Sequence, residues 1–238
     1  QLHLESKAAK TERLKNEQAH RKKVRIEQRS KYKPVIIKDK NVARNEIDLC
    51  GKWLFMPEQN ISDEAKAALP DFNDMNWHIM DVPNFWNQIA WWCMNSGQFG
   101  LRGQDEVFRY AETARTKGYT FDADATIAAW YRQWLVFPDK ATGKRYTITF
   151  DATASITAVY FNGVKVGEHI GFSAPFECDI TDHIKWGQKN LLAVFVNSGA
   201  GKGPAKIVGI AVTMEVTDEM LNSFPMGNYN SMAVSSDY

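Results

Sequence analysis

With 238 residues, 44% of them apolar and 24% charged, the chain can bury one good-sized core and still carry extensions. No run approaches the roughly 18 apolar residues of a membrane span, and no apolar stretch near Gln1 resembles a signal peptide. Cys50, Cys93 and Cys178 lack metal-type spacing and exclude a disulfide framework, though not a single bridge; the net charge of +1 conceals a first 40 residues with 13 Lys/Arg against 5 Asp/Glu.

That basic segment is densest at Arg21-Lys22-Lys23-Val24-Arg25. Leu14, Ala19, Val24 and Ile26 do not recur at helical spacing, so it offers little amphipathic face. It also lacks the interleaved aromatics that stack on bases, and nucleic acid is not an expected partner. Residues 1–44 read as an irregular or loosely helical leash that wraps around the ordered part of the chain.

Order is expected from Ile47. Ile47 to Met56 reads as one strand with Gly51 as a bulge; Asp63 to Leu69 reads as a short helix, and Phe72 to Trp77 as a turn before the next strand. Trp130 to Phe137 is strand-like. Arg145 to Phe150 alternates, with Tyr146, Ile148 and Phe150 on one face. Val159 to His169 has apolar residues on both sides of Asn162-Gly163, a dipeptide suited to the positive φ angles of a two-residue hairpin. Asn190 to Val196 is nearly continuous apolar, as a strand covered on both faces would be. Ile210 to Val216 groups Val212, Met214 and Val216. Many strands, few helices and Gly/Asn turns predict an all-β fold, two antiparallel sheets packed face to face. Gly97 to Ala128 interrupts this pattern as a partly helical insertion, with a helical run between Val107 and Lys117. Asp122-Ala123-Asp124-Ala125 lacks the glycine turn and closing Glu of a calcium loop and reads as solvated surface. No metal and no cofactor is expected.

Several of these segments together resemble a known domain. Leu49-Cys50-Gly51-Lys52-Trp53-Leu54-Phe55, Val82-Pro83-Asn84-Phe85-Trp86-Asn87, Trp130-Tyr131-Arg132-Gln133-Trp134-Leu135-Val136-Phe137-Pro138, the Asn162-Gly163 hairpin with Glu168-His169, and Pro175-Phe176-Glu177-Cys178-Asp179-Ile180-Thr181-Asp182 occur in one order. That order resembles the sugar-binding jelly-roll domain of glycoside hydrolase family two, which includes β-galactosidases, β-glucuronidases and β-mannosidases. The resemblance covers about 47–216 and implies a jelly-roll β-sandwich over 45–216, with 217–238 as a tail or the start of a linker. Two departures accompany it: Gly209-Ile210-Ala211-Val212 lacks the arginine of the family's Gly-Ile-x-Arg, and Ile170-Gly171 replaces a Gly-Gly.

The chemistry expected of such a chain is binding. A glycosidase sets two carboxylic acids across the scissile bond; in this family both sit on a separate barrel domain, one within an Asn-Glu pair. Here only Asn16-Glu17 and Asn45-Glu46 occur, at or before the domain edge, and 238 residues cannot hold both a jelly roll and a barrel. Gly171 to Pro175 lacks the second glycine of a nucleophile elbow, and Ser198 to Pro204 lacks the Ser/Thr of a phosphate loop. A pyranose asks for aromatic platforms beside amides and carboxylates. Trp86, Asn87, Trp91, Trp92 and Asn95 supply those types in one loop; the resemblance also implies packing at the sandwich edge for Trp86. His169 joins the set, with a structural hydrogen bond expected before proton transfer.

The resemblance therefore implies a non-catalytic carbohydrate-binding and scaffolding domain of a glycosidase acting on O-glycosidic bonds. Its partners would be carbohydrate and a catalytic barrel domain of the same or another polypeptide, with no membrane contact, in a secreted or periplasmic setting. The alternative is a stand-alone interaction module whose basic arm holds an acidic polysaccharide or a protein. An accessory domain of a carbohydrate esterase is a third reading.

Overall fold

A computed structural model describes residues 7–40, 42–86, 118–123, 125–140, 143–171, 174–198, 206–207 and 210–216. A helix, α1 (Lys7–Ser30), comes first, then β1 (Val35–Ile36), β2 (Arg44–Asp48), β3 (Gly51–Pro57), β4 (His78–Val82) and β5 (Asn84–Phe85). After the segment 87–117, outside the described residues, come β6 (Ala128–Val136), β7 (Lys144–Phe150), β8 (Thr153–Phe161) and β9 (Val164–Gly171). The chain continues through β10 (Phe176–Asp179), β11 (Lys189–Asn197), β12 (Lys206–Ile207) and β13 (Ile210–Val216). The expected helical run between Val107 and Lys117 and the tail 217–238 lie outside the described residues.

The strands form two sheets. The large one runs β4-β3-β6-β11-β8-β12-β5, with β9 on β8 and β1 joined in parallel to β6; the small one runs β10-β7-β13-β2. Every pair except β1 with β6 is antiparallel. β11 lies between β6 and β8. That position explains its unbroken apolar run: Leu192, Val194 and Val196 enter the inter-sheet core, while Leu191 and Ala193 enter a second cluster. From the small sheet, Tyr146, Ile148 and Phe150 of β7 and Val212 and Met214 of β13 close the inter-sheet core.

The β8–β9 hairpin forms where the sequence predicts it. Asn162 has φ +51° and Gly163 φ +87°, the left-handed pair this turn demands. The Asn162 side chain also replaces a strand residue: its Oδ1 accepts from Leu191 N at 3.0 Å and its Nδ2 donates to Asn190 Oδ1 at 2.8 Å. Asn190 is fully buried and satisfied, donating to the carbonyls of Lys185 (2.9 Å) and Gln188 (3.0 Å).

Two expectations need correction. Ile47 to Met56 is two strands on different sheets, β2 ending at Asp48 and β3 starting at Gly51, whose φ is +128°. Leu49 N still donates to Ile210 O (2.9 Å) while the Trp53 indole donates to Leu49 O (2.8 Å), so this corner is pinned to both sheets. Within the basic segment, second, Lys7–Ser30 is a continuous 24-residue helix, more regular than the loose helix expected. Its half-buried stripe, Val24, Arg25, Gln28 and Arg29, is mostly polar, which is why hydrophobic spacing fails to reveal it. Arg29 Nη2 reaches Asp74 Oδ1 at 2.9 Å, and Gln28 Nε2 donates to Gly118 O at 3.1 Å.

Between β3 and β4 the chain crosses the outer face of the large sheet. The predicted helix at Asp63 to Leu69 is a 3-10 turn at Glu64–Lys66. This crossing covers the second apolar cluster, which includes Leu54, Met56, Trp77, Ile79 and Trp130.

Candidate functional site

The segment proposed for sugar contact falls between Trp86 and Gly118, the described residues on either side of 87–117. Asn87, Trp91, Trp92 and Asn95 lie outside the described residues. Trp86 is 0% exposed; its ring packs 5.6 Å from Phe55 and 5.9 Å from Tyr131, and its Nε1 donates to Thr126 O at 3.0 Å. A ring so enclosed presents no face to a pyranose, so Trp86 anchors the segment rather than forming a platform. The returning end is planted on the same ring: Phe121 lies 4.5 Å from Phe55 and stacks on Tyr119 at 4.8 Å. The start and end of the segment thus share one aromatic base built on β3 and β6.

His78 of β4 stands beside this base, edge-on to Phe121 at 5.5 Å, with Nδ1 2.6 Å from Thr120 Oγ1. Burial and then the Arg25 guanidinium lower its pKa to about 4, so the imidazole is neutral at pH 7.

His169 sits elsewhere, among different rings. It stacks on Phe176 (4.5 Å, 8°), which stacks on Phe150 (4.6 Å, 4°), so three rings tie β9 through β10 to β7. Its Nε2 is buried without a hydrogen-bond partner among the described residues. Gly171 makes room for it: a Cβ there would lie 2.7 Å from His169 Nε2.

Sequence reasoning missed a buried polar cluster on the outer face. Asp74, read as part of a turn, accepts from Arg29 Nη2 (2.9 Å) and Trp134 Nε1 (3.1 Å), and its Oδ2 lies 3.4 Å from Arg132 Nε. The Arg132 side chain is 0% exposed and donates from Nη1 to Ala67 O at 3.1 Å. Its guanidinium carbon lies 5.2 Å from the Trp77 ring, 5.7 Å from Trp134 and 5.9 Å from Phe72. Two guanidinium groups share one carboxylate, and the ring faces help to stabilise the surplus positive charge. Burial lowers the Arg132 pKa. Tyr32, just after α1, donates to Gln133 Oε1 (2.7 Å) and accepts from Trp134 N (2.9 Å). The alternation Trp130-Arg132-Trp134 was the available signal: it puts an arginine between two indoles on one sheet face.

Of the two Asn-Glu pairs, Glu17 accepts from Arg13 on the exposed side of α1, and Asn45 donates to Lys38 O from β2, where Glu46 is exposed. Among the described residues no three His, Cys, Asp or Glu gather as metal ligands, and no helix is long and apolar enough to cross a membrane. Cys50 and Cys178 are free thiols, and burial pushes that of Cys178 up to about 12.

Comparison with known proteins agrees with this architecture. Residues 113–206 match the family model described as "Glycosyl hydrolases family 2, sugar binding domain". A β-galactosidase of Thermoanaerobacter pseudethanolicus is 28% identical over 158 residues, 66% of this chain and 17% of that protein. A β-glucuronidase of Formosa agariphila is 29% identical over 150 residues, 63% of this chain and 13% of that protein. In fold, 72% of this chain superposes on 18% of the Bacteroides uniformis β-glucuronidase with a TM-score of 0.51 and 22% identity. The chain thus spans less than a fifth of the length of either curated relative. Its β-sandwich is thus similar to the sugar-binding domain of glycosyl hydrolase family 2.

Proposed function

We propose that the chain serves as the non-catalytic carbohydrate-binding and scaffolding part of a β-galactosidase-like glycosidase acting on O-glycosidic bonds of oligo- or polysaccharides. In that role it buttresses a catalytic barrel of the same or a partner polypeptide and lines one side of its pocket. The observation that carries the reading is the shared base at Phe55, where Trp86 and Phe121 bracket the segment bearing Asn87, Trp91, Trp92 and Asn95. Indoles and amides close together in one segment suit a pyranose, which needs an apolar face and hydrogen-bonding groups together. His169, whose Nε2 is buried, carries no sugar contact in this reading.

Tryptophan fluorescence of the purified chain, titrated with galacto- and glucurono-configured oligosaccharides, tests the proposal. Saturable quenching is expected, weakened about tenfold by Trp91→Ala or Trp92→Ala. Absence of binding to any oligosaccharide, or binding untouched by both substitutions, would sink it. The alternative of a stand-alone module working through its basic arm draws support from the cations that α1 displays.

A further inference from the structure

The docked helix creates a cleft that the family comparison does not account for. It encloses about 390 Å³ between α1 and the edge of the sandwich near β4. Arg21, Lys22 and Arg25 form one wall; Asn60, Thr120 and Asp122 form the other. Arg21 and Arg25 are one helical turn apart and share a face, with Lys22 beside them. Of the other cations of this segment, Arg13 pairs with Glu17, Arg29 with Asp74 and Lys31 with Glu27. Arg21, Lys22 and Arg25 have no ion pair or hydrogen bond among the described residues.

Among the described residues three cations therefore face one carboxylate, that of Asp122, across a space of small-ligand size. His78 at the floor is neutral at pH 7 and adds no charge. The surplus is positive and is held on one wall only. The opposite wall presents neutral and acceptor groups: the exposed Asn60 amide, the Thr120 hydroxyl facing His78 Nδ1, and Asp122, whose Oδ1 accepts from Ala125 N. This division fits a molecule that is anionic at one end and hydroxylated at the other. Guanidinium groups pair with carboxylate or sulfate oxygens, and amide and carboxylate groups take sugar hydroxyls.

We propose that the cleft between α1 and the sandwich binds an anionic saccharide residue bearing a carboxylate or a sulfate ester. It is argued from α1, Asn60, Thr120 and Asp122 and does not depend on Trp91 or Trp92. A single-stranded nucleic acid fits less well, because Phe121 at the cleft floor is buried and offers no platform for a base. The volume, about that of one or two pyranose rings, also suits one sugar residue better than a polymer backbone.

Isothermal titration of the full chain at low salt, with four probes and a single-stranded oligonucleotide for comparison, tests this. Trigalacturonate supplies the carboxylate arm and galactose 6-sulfate the sulfate arm; a neutral galactotriose and inorganic sulfate serve as controls. Binding of at least one anionic sugar is expected, falling steeply as sodium chloride rises from about 50 to about 300 mM and the Debye length shortens. The triple variant Arg21→Gln/Lys22→Gln/Arg25→Gln should weaken it about thirtyfold or more with helical circular dichroism retained. Asn60→Ala, which leaves α1 intact, should weaken it about threefold while sparing inorganic sulfate. Galactotriose binding carried by Trp91 and Trp92 should be the same in the triple variant, so either site can fail alone. Four results overturn the proposal: neither anionic sugar binding, the triple variant binding as wild type, inorganic sulfate binding as tightly as the sugars, or a single-stranded oligonucleotide binding more tightly than both.

Discussion

The inner face of the large sheet buries Phe55, Tyr131, Leu192 and Val194 against β7 and β13, all apolar contact across two regular sheets. The outer face of the same strands buries Arg132 with Trp130, Trp134 and Leu191, under a crossing segment and the end of a basic helix. On the first face, shape and area decide stability. On the second, the Asp74 carboxylate from the crossing segment must arrive before the strand arginine is tolerable, and the same carboxylate holds Arg29 of the helix. One sheet therefore has a side that folds by hydrophobic burial and a side that folds by charge assembly.

The widest break in that comparison should come from the inner face. Phe55 touches Trp86, Phe121 and Tyr131 at ring separations of 4.5–5.6 Å, so Phe55→Ala removes the base of the 87–117 segment as well as a core side chain. A loss of about 4 kcal/mol is expected, a fall in melting temperature of roughly 10 °C for a chain of this size. A loss below about 1 kcal/mol would show that this cluster is not part of the cooperative core.

On the outer face, Asp74→Ala leaves Arg132 buried beside a second cation and should cost about 3 kcal/mol. The informative partner is Asp74→Leu/Arg132→Met, which removes the buried arginine together with its carboxylate and leaves only the half-buried Arg29 unpaired. Urea unfolding of the double variant should show a smaller loss than either single one. Simple additivity of the two singles would contradict a coupling between these groups.

A third substitution probes where the two sheets meet at β9 and β10. At Gly167 an added Cβ would stand 2.2 Å from Cys178 Sγ, closer than any real contact. Gly167→Ala should destabilise by about 2 kcal/mol through overpacking. Cys178→Ala in the same chain should recover most of it; no recovery would place the strain elsewhere.

Legibility in the sequence divides along the same line. β6, β7, the β8–β9 hairpin, β11 and β13 were legible because alternation, a double-faced apolar run and Asn162-Gly163 are local signals of inner-face structure. The break at Leu49–Cys50 was not, since a chain that changes sheets through a glycine has the same residue pattern as a bulged strand. The outer cover was hidden more deeply. Asp74 and Arg29 are ordinary surface types until 45 positions of chain separation close to a 2.9 Å contact, and no hydrophobic period announces it. For the site, Trp86 was legible as an edge tryptophan with two possible roles, and only its burial shows that it serves as the anchor. The cleft facing Arg21 and Arg25 depended on knowing that α1 docks.

The smallest effect is a pH dependence that belongs to the junction of the two regions, at His78. Its folded pKa is about 4 against 6.5 in an open chain, because burial and then Arg25 disfavour the imidazolium. The unfolded state therefore binds the proton more readily, and stability rises with pH across this window. The contribution is complete above about pH 6.5 and is lost as pH falls from 6.5 towards 4, by about 1 kcal/mol per pH unit, levelling off below. Chemical denaturation at pH 7.0, 6.0 and 5.0 should show that slope, and His78→Gln, which keeps an acceptor for Thr120 Oγ1 but cannot be protonated, should flatten it. Arg25→Gln should make the loss smaller and end it at a higher pH, since removing the neighbouring cation raises the folded pKa towards that of the open chain. An unchanged slope in His78→Gln would assign the acid sensitivity to other groups and leave the helix uncoupled from β4.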